Sequence, residues 1–393
     1  MYDFDQVVNR KNTNSVKWMG AKDRYKNPDV LPMWVADMDF VPPKEIVEAL
    51  KTTAETEIFG YPLPPLQNEE LTKSIQTWLK RRNEWKISKE NLGFADGVIP
   101  ALSLALKAVT NENDSVILQT PFYGHFKILI DDAHRKLVNN FLHEDEFGYE
   151  LDFDDFEQQI IDNNVKAFIL CNPHNPTGRV WSENELIQLA KICQKHDVYI
   201  LSDDIHSDLI MPGYNYQPLA KIYPEYSDHI ITFKSVSKTF NLAGLQIAYY
   251  ITTNQDILEK MNTIRAESFQ PELLNSFATS SLVAAYTFGE RWLEELISYI
   301  EKNYNYLCSF LKEELPKARV ANLEATYLSW IDVSYLNINE EELQQKLDDA
   351  GIGVETSSEF GITTPKRLFI RINIATSRDT LELGLTRLKT ALS

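Results

Sequence analysis

The sequence predicts an α/β fold, with a large unit on a mostly parallel sheet covered by helices and a smaller α+β unit attached. Three observations carry this expectation. Runs rich in apolar and β-branched residues alternate with helical patterns through the middle of the chain, which is the signature of a parallel sheet with helices on both faces. Beyond about Phe288 the texture changes to one long helical stretch followed by strand, helix, strand and helix. Finally, 393 residues exceed what one hydrophobic core comfortably serves.

The expected strands of the large unit are Ser115–Leu118, Val165–Leu170, Val198–Leu201, Ile230–Phe233 and Ile247–Ile251. Their apolar content suits strands buried on both faces. Glu183–His196 is read as a helix because Leu186, Leu189, Ala190 and Cys193 fall on one face. In the smaller unit the helices are Glu290–Leu315, Glu340–Ala350 and Thr380–Leu392, and the strands Tyr327–Val333 and Leu368–Ile374. The expected division assigns residues 50–287 to the large unit, and residues 1–49 and 288–393 to the small one. No internal repeat, low-complexity segment or flexible linker interrupts it.

Composition narrows the function classes. Hydrophobic residues at 44% and charged residues at 24% suit a soluble globular protein. A net charge of −18 argues against nucleic acid as a partner, because such binding depends on clustered Lys and Arg. Met1–Asp5 shows no basic start leading into an apolar run, and no apolar stretch reaches spanning length, so no membrane association and a cytoplasmic location are expected. Cys171, Cys193 and Cys308 are odd in number and lack metal-ligand spacing, which fits buried thiols better than disulfides or a metal site.

The most informative residue is Lys238, in the run Ser235 to Gly244 that leaves the strand Ile230–Phe233. Asp203 ends the similar segment Val198–Ser202. Ligands of open α/β sheets bind outside the carboxyl ends of strands, so an amine and a carboxylate at two such ends can share one crevice. That is the pair pyridoxal phosphate needs: a lysine for its aldehyde and an acid for its ring nitrogen. Taken alone, the two also fit a surface lysine and an idle strand-end acid.

Asp96-Gly97-Val98-Ile99-Pro100 opens the helical run Ala101–Val109, whose free amides suit a phosphate, although such openings also occur without one. Tyr123 follows another strand end and fits either ring stacking or packing. The stretch Asn172 to Arg179, with two X-Pro units and a glycine, is a stiff turn able to aim an amide at a ligand, or simply a turn.

Together these motifs resemble the fold-type I pyridoxal-phosphate enzymes of the aspartate aminotransferase superfamily, over nearly the whole chain. Within it, Val35-Ala36-Asp37-Met38-Asp39-Phe40, the Asn172–Arg179 turn, Ser202 to Leu209, and Ser237 to Gly244 are most similar to the cystathionine β-lyase branch, cystalysin-like carbon–sulfur lyases included. His206 strengthens the narrower match, since many aminotransferases have tyrosine three places after the aspartate. The resemblance implies a seven-stranded main sheet, pyridoxal 5′-phosphate as cofactor, and β-elimination of L-cystathionine or a related cysteine S-conjugate to pyruvate, ammonia and a thiol such as homocysteine.

The resemblance also implies roles. Lys238, Asp203 and Tyr123 form the catalytic set: Lys238 holds the cofactor and moves the α-proton, Asp203 pairs with the ring nitrogen, and Tyr123 stacks on the ring. Asn175 meets the phenolic oxygen, with His206 near that edge. Val98 and Ile99 amides, with Ser235 and Ser237 hydroxyls, take the phosphate, and Tyr61 reaches it from the partner subunit of a homodimer. Arg371 takes the substrate α-carboxylate, beside the backbone of Ala36, while Asp37 is either a neighbour or structural.

Two positions depart from the pattern. Eight residues after Lys238, where aminotransferases commonly have arginine, stands Gln246; after Tyr123, where some lyases have a second tyrosine, stands Gly124. Two rival functions share the same motifs. One is an aminotransferase that needs a keto-acid acceptor. The other is a regulatory or binding protein of this fold that acts through protein contacts.

Overall fold

The computed structural model describes residues 2–144, 148–268, 274–364 and 367–393. Seven strands form the main sheet: β1 (Leu92–Ala95), β2 (Ser115–Thr120), β3 (Lys136–Phe141), β4 (Val165–Cys171), β5 (Tyr199–Asp203), β6 (Ile230–Lys234) and β7 (Ala248–Ile251). Their order is β1-β7-β6-β5-β4-β2-β3. Every pairing is parallel except those of β7, which runs antiparallel to both β1 and β6.

The five expected strands are present, and two more complete the sheet. β1 was illegible because it is short and contains Gly93, a residue type depleted in strands. The glycine is required there, since a Cβ at 93 would lie 2.2 Å from the Tyr250 ring of β7. β3 is an edge strand with Lys136 and Phe141 exposed, so it lacks a continuous apolar run.

Alternate residues of the central strands serve different cores. Val116, Leu118, Ala167 and Ile169 pack on one face, and Ile117, Phe168, Leu170 and Ile200 on the other. This is the period-two alternation of a strand whose two faces are both covered. Each fully buried Leu, Ile or Phe contributes about 1.5–3 kcal/mol relative to exposure.

The helices include α1 (Lys44–Glu55), α2 (Glu69–Asn83), α3 (Val98–Val109), α4 (Glu183–Lys195), α5 (Val236–Thr239), α6 (Ser276–Phe288), α7 (Glu290–Glu314), α8 (Glu340–Ala350) and α9 (Arg378–Leu392). Ser182 and Glu185 form a capping box that starts α4, and its Leu186, Leu189, Ala190 and Cys193 are buried as the pattern requires. Three residues earlier than expected, α3 begins at Val98, with Gly97 as its N-cap. α1 runs through residue 50 and packs on α6, so a division of the chain at 49/50 falls inside a helix. Among the described residues no helix is long and apolar enough to cross a membrane.

A second sheet, antiparallel throughout, has the order β8 (Arg319–Val320), β9 (Leu328–Asp332), β11 (Phe369–Asn373), β10 (Glu355–Thr356). The N-terminal segment joins this region, because Leu31–Pro32 pairs in parallel with Ile352–Gly353. That pairing delivers Trp34 to Phe40 to the carboxyl ends of the main strands.

Candidate active site

The parallel register sets the ends of β4 and β5 level, with Cys171 opposite Asp203, and the loops after β1, β2, β4, β5 and β6 leave by one edge. A cavity of about 340 Å³ opens there. Ala36, Val98, Ile99, Tyr123, Asn175, Asp203, His206, Ser237, Lys238 and Arg371 all line it. Residues more than 300 positions apart in the chain thus meet at the strand ends, where the open-sheet rule places a ligand.

Lys238 lies in the one-turn helix α5, which Ser235 starts by accepting from the Ser237 amide at 3.0 Å. Its amine donates to the Ala36 carbonyl oxygen at 2.7 Å. Burial pulls that amine down to about 8; Asp37 opposes the shift and Arg371 adds to it. Asp203 is the last residue of β5, and one of its oxygens accepts from the Ile205 amide at 3.1 Å. Burial lifts its carboxyl to about 7; that amide opposes the shift, Asp204 adds to it and Lys238 opposes it. The acid therefore lacks a full cationic partner in this cavity.

His206 is 3% exposed, and burial, followed by Lys238 and Arg371, pulls it down to about 3. Its ring is neutral at physiological pH, yet the buried Nδ1 meets no hydrogen-bond partner. Tyr123 stacks on His125 with ring centroids 4.8 Å apart, and burial raises its phenol to about 12.

Arg371 is 2% exposed and sits directly across from Glu355, its cross-strand neighbour, with which it forms an ion pair. It also donates to Asn175 Oδ1 at 2.9 Å and the Trp34 carbonyl at 3.2 Å, while its buried Nε has no partner. Since Oδ1 of Asn175 is engaged, the group this residue can offer a ligand is its Nδ2 donor.

The amino end of α3 has no side-chain cap. The Ala101 amide bonds to the Gly97 carbonyl and Pro100 has no N–H, so the open donors are the amides of Val98 and Ile99. A helix of this length directs partial positive charge at that point, which suits an anion. Orphaned Nδ1 and Nε atoms, an under-compensated acid and an uncapped helix in one cavity fit an aromatic, phosphorylated carbonyl cofactor together with a carboxylate substrate.

Two expected residues are not in the cavity. Ser235 is 3% exposed, and its hydroxyl donates to the Ile247 carbonyl while capping α5, so it is committed to the loop. Tyr61 is 95% exposed and lies outside its own chain's cavity. Asp37 is held by Arg10 through two bonds of 2.9 and 2.8 Å. At position 124 glycine is enforced, because a Cβ would come 2.5 Å from the Glu359 carbonyl oxygen. Glu355, Arg24, Trp34 and His125 also line the cavity and were missed, as none lies in a strand-end motif. Gln246 lines it as well.

Comparison with known proteins agrees with this geometry. The aminotransferase class I and II profile matches residues 28–388. Cystathionine beta-lyase PatB of Bacillus subtilis (strain 168) is 39% identical over 100% of both chains. The solved structure of the PLP-bound C-S lyase from Staphylococcus hominis superposes with a TM-score of 0.92 at 36% identity, covering 100% of this chain and 98% of that one. Cystalysin from Treponema denticola, solved with pyridoxal 5′-phosphate, gives 0.94 at 34% identity, covering 100% and 99%. The chain belongs to the aminotransferase class I and II family.

Proposed function

We propose that this protein is a pyridoxal-phosphate-dependent carbon–sulfur β-lyase, which splits L-cystathionine or a related cysteine S-conjugate into pyruvate, ammonia and a thiol. The observation that carries the reading is the meeting of Lys238, Asp203 and Arg371 in one cavity whose His206 Nδ1 and Arg371 Nε lack partners. The relatives named above support the same chemistry.

When bound, the cofactor supplies the aldehyde that condenses with the substrate amine and the ring that takes up the electron pair released at the α-carbon. Asp203 would hold the ring nitrogen, whose protonated form would give the buried carboxylate the positive partner it lacks. The amides of Val98 and Ile99 and the Ser237 hydroxyl would hold the phosphate. Arg371 exchanges part of its contact with Glu355 for the substrate α-carboxylate, a planar two-point match.

Lys238, with its amine pulled down to about 8, has an appreciable neutral fraction at physiological pH and removes the α-proton. The Cβ–S bond then breaks with its electron pair on sulfur. The departing thiolate receives a proton from the Lys238 ammonium or the Tyr123 phenol, and hydrolysis leaves pyruvate and ammonia. Trp34, Tyr123 and Phe126 supply aromatic wall area around the reacting atoms.

A homodimer is part of this reading. Ile58, Phe59, Tyr61 and Leu63 form an exposed apolar run, and Tyr61 is free to reach a partner's phosphate site. A cytoplasmic location is the companion inference, supported by Cys171, Cys193 and Cys308 being unpaired.

The test is pyruvate release from L-cystathionine with pyridoxal phosphate and no keto acid. Release supports the lyase; turnover only after a keto acid is added identifies an aminotransferase instead.

A further inference from the structure

Four charged side chains run from the second sheet to the cavity mouth, two acids flanked by two arginines. Arg371 pairs with Glu355, Glu355 faces Glu359, and Glu359 pairs with Arg24. Arg24 and Glu355 line the same cavity as Lys238, and the Arg24 guanidinium lies 4.6 Å over the ring of Trp34, another wall residue. At the inner end, the orphaned Nε of Arg371 marks where a carboxylate docks. At the outer end, the side chains of Arg24 and Glu359 are 34% and 35% exposed.

We propose that Arg24 and Glu359 form a second subsite, which binds the far end of a cysteine S-conjugate whose sulfur substituent itself ends in an amino acid group. This rests on the lyase reading and narrows its substrate class. The physical argument is one of exchange. Glu355 and Glu359 set two carboxylates side by side, and burial followed by Glu355 pushes Glu359 up to about 7. A ligand ammonium between them removes that repulsion, and the ligand's distal carboxylate replaces Glu359 on Arg24. Because the Arg24–Glu359 pair is partly solvated, releasing it costs little. A plain S-alkyl group brings neither charge and leaves the pair closed.

The test compares kcat/KM for L-cystathionine and S-ethyl-L-cysteine in the holoenzyme, Arg24→Met and Glu359→Gln, with circular dichroism to verify folding. The ratio of the two constants is expected to fall about tenfold in each variant, the factor carried by one hydrogen bond to a charged group. Calorimetry in the Lys238→Ala background, where turnover is blocked, should show Arg24→Met weakening L-cystathionine binding by a similar factor. A ratio that stays within about twofold, whether both rates fall or neither does, overturns the subsite. Wild-type protein that cleaves S-ethyl-L-cysteine but not L-cystathionine also overturns it, while leaving the lyase reading intact. Release of pyruvate from neither substrate removes both.

Discussion

Lys234 and Lys238 stand four residues apart, and burial lowers both amines, but their surroundings differ. Lys234 ends β6 and is 1% exposed. It donates to Ser207, lies 5.0 Å from the Tyr216 ring centroid, and is drawn by Asp208 and Asp204. Asp208 in turn accepts from Trp78 and Thr239, and Asp204 from Ser202 and Tyr216. Lys238, on the cavity wall, touches one carbonyl. The adjacent acids repeat the contrast: Asp204 is enclosed in the buried network, and Asp203 faces the cavity. A buried, shifted side chain therefore does not mark a catalytic group; a shifted group with room for a ligand does.

The contrast is open to attack by mutation. Lys238→Ala should cut pyruvate release about a thousandfold or more while leaving the urea midpoint nearly unchanged. Lys234→Met should do the reverse in kind, destabilising the fold by about 3–5 kcal/mol, because it leaves Asp204 and Asp208 buried without their cation. Equal loss of stability in the two variants would break the comparison. Next, Arg371→Lys loses the planar fork, and kcat/KM should drop about tenfold to a hundredfold, read from initial rates.

Asp203 offers a pH test in protein stripped of cofactor. Its folded carboxyl, lifted by burial to about 7, holds a proton that the unfolded chain has released above its ordinary value of 3.8. The stability it contributes is fully present below about pH 4 and is lost as pH rises through 7, by a few kcal/mol in all. Urea titrations at pH 5 and pH 8 should show Asp203→Asn losing less stability across that interval than wild type; parallel curves would refute the shift. The smallest effect separates the two serines. Ser235→Ala should cost about 1 kcal/mol of stability with little change in cofactor affinity. Ser237→Ala should instead weaken cofactor binding about tenfold in a fluorescence titration. Similar affinity losses would return Ser235 to the phosphate site.

What was legible in the sequence was local. Asp203 ends an apolar strand, and Tyr123, Asn175 and Lys238 lie within four residues of such strand ends, so the strand pattern put them at one sheet edge. Glu355 was illegible because it lies on a two-residue strand, and its meaning comes from its register opposite Arg371. Arg24 ends a four-residue helix with no pattern of its own. The turn of the Ser235 hydroxyl toward the Ile247 carbonyl was illegible, since sequence gives a hydroxyl's position but not its direction.

The alternation of apolar runs and amphipathic helices determined the fold class, because burying those periodic faces leaves few architectures. The same runs determined which loops meet at the carboxyl edge, and the motifs there carried the chemistry. Tertiary structure alone decided that Lys234 and Asp204 are enclosed in a buried network, and which acid holds Arg371. Those outcomes depend on strand register and loop packing between distant segments, and a one-residue step along a strand end reverses the face presented.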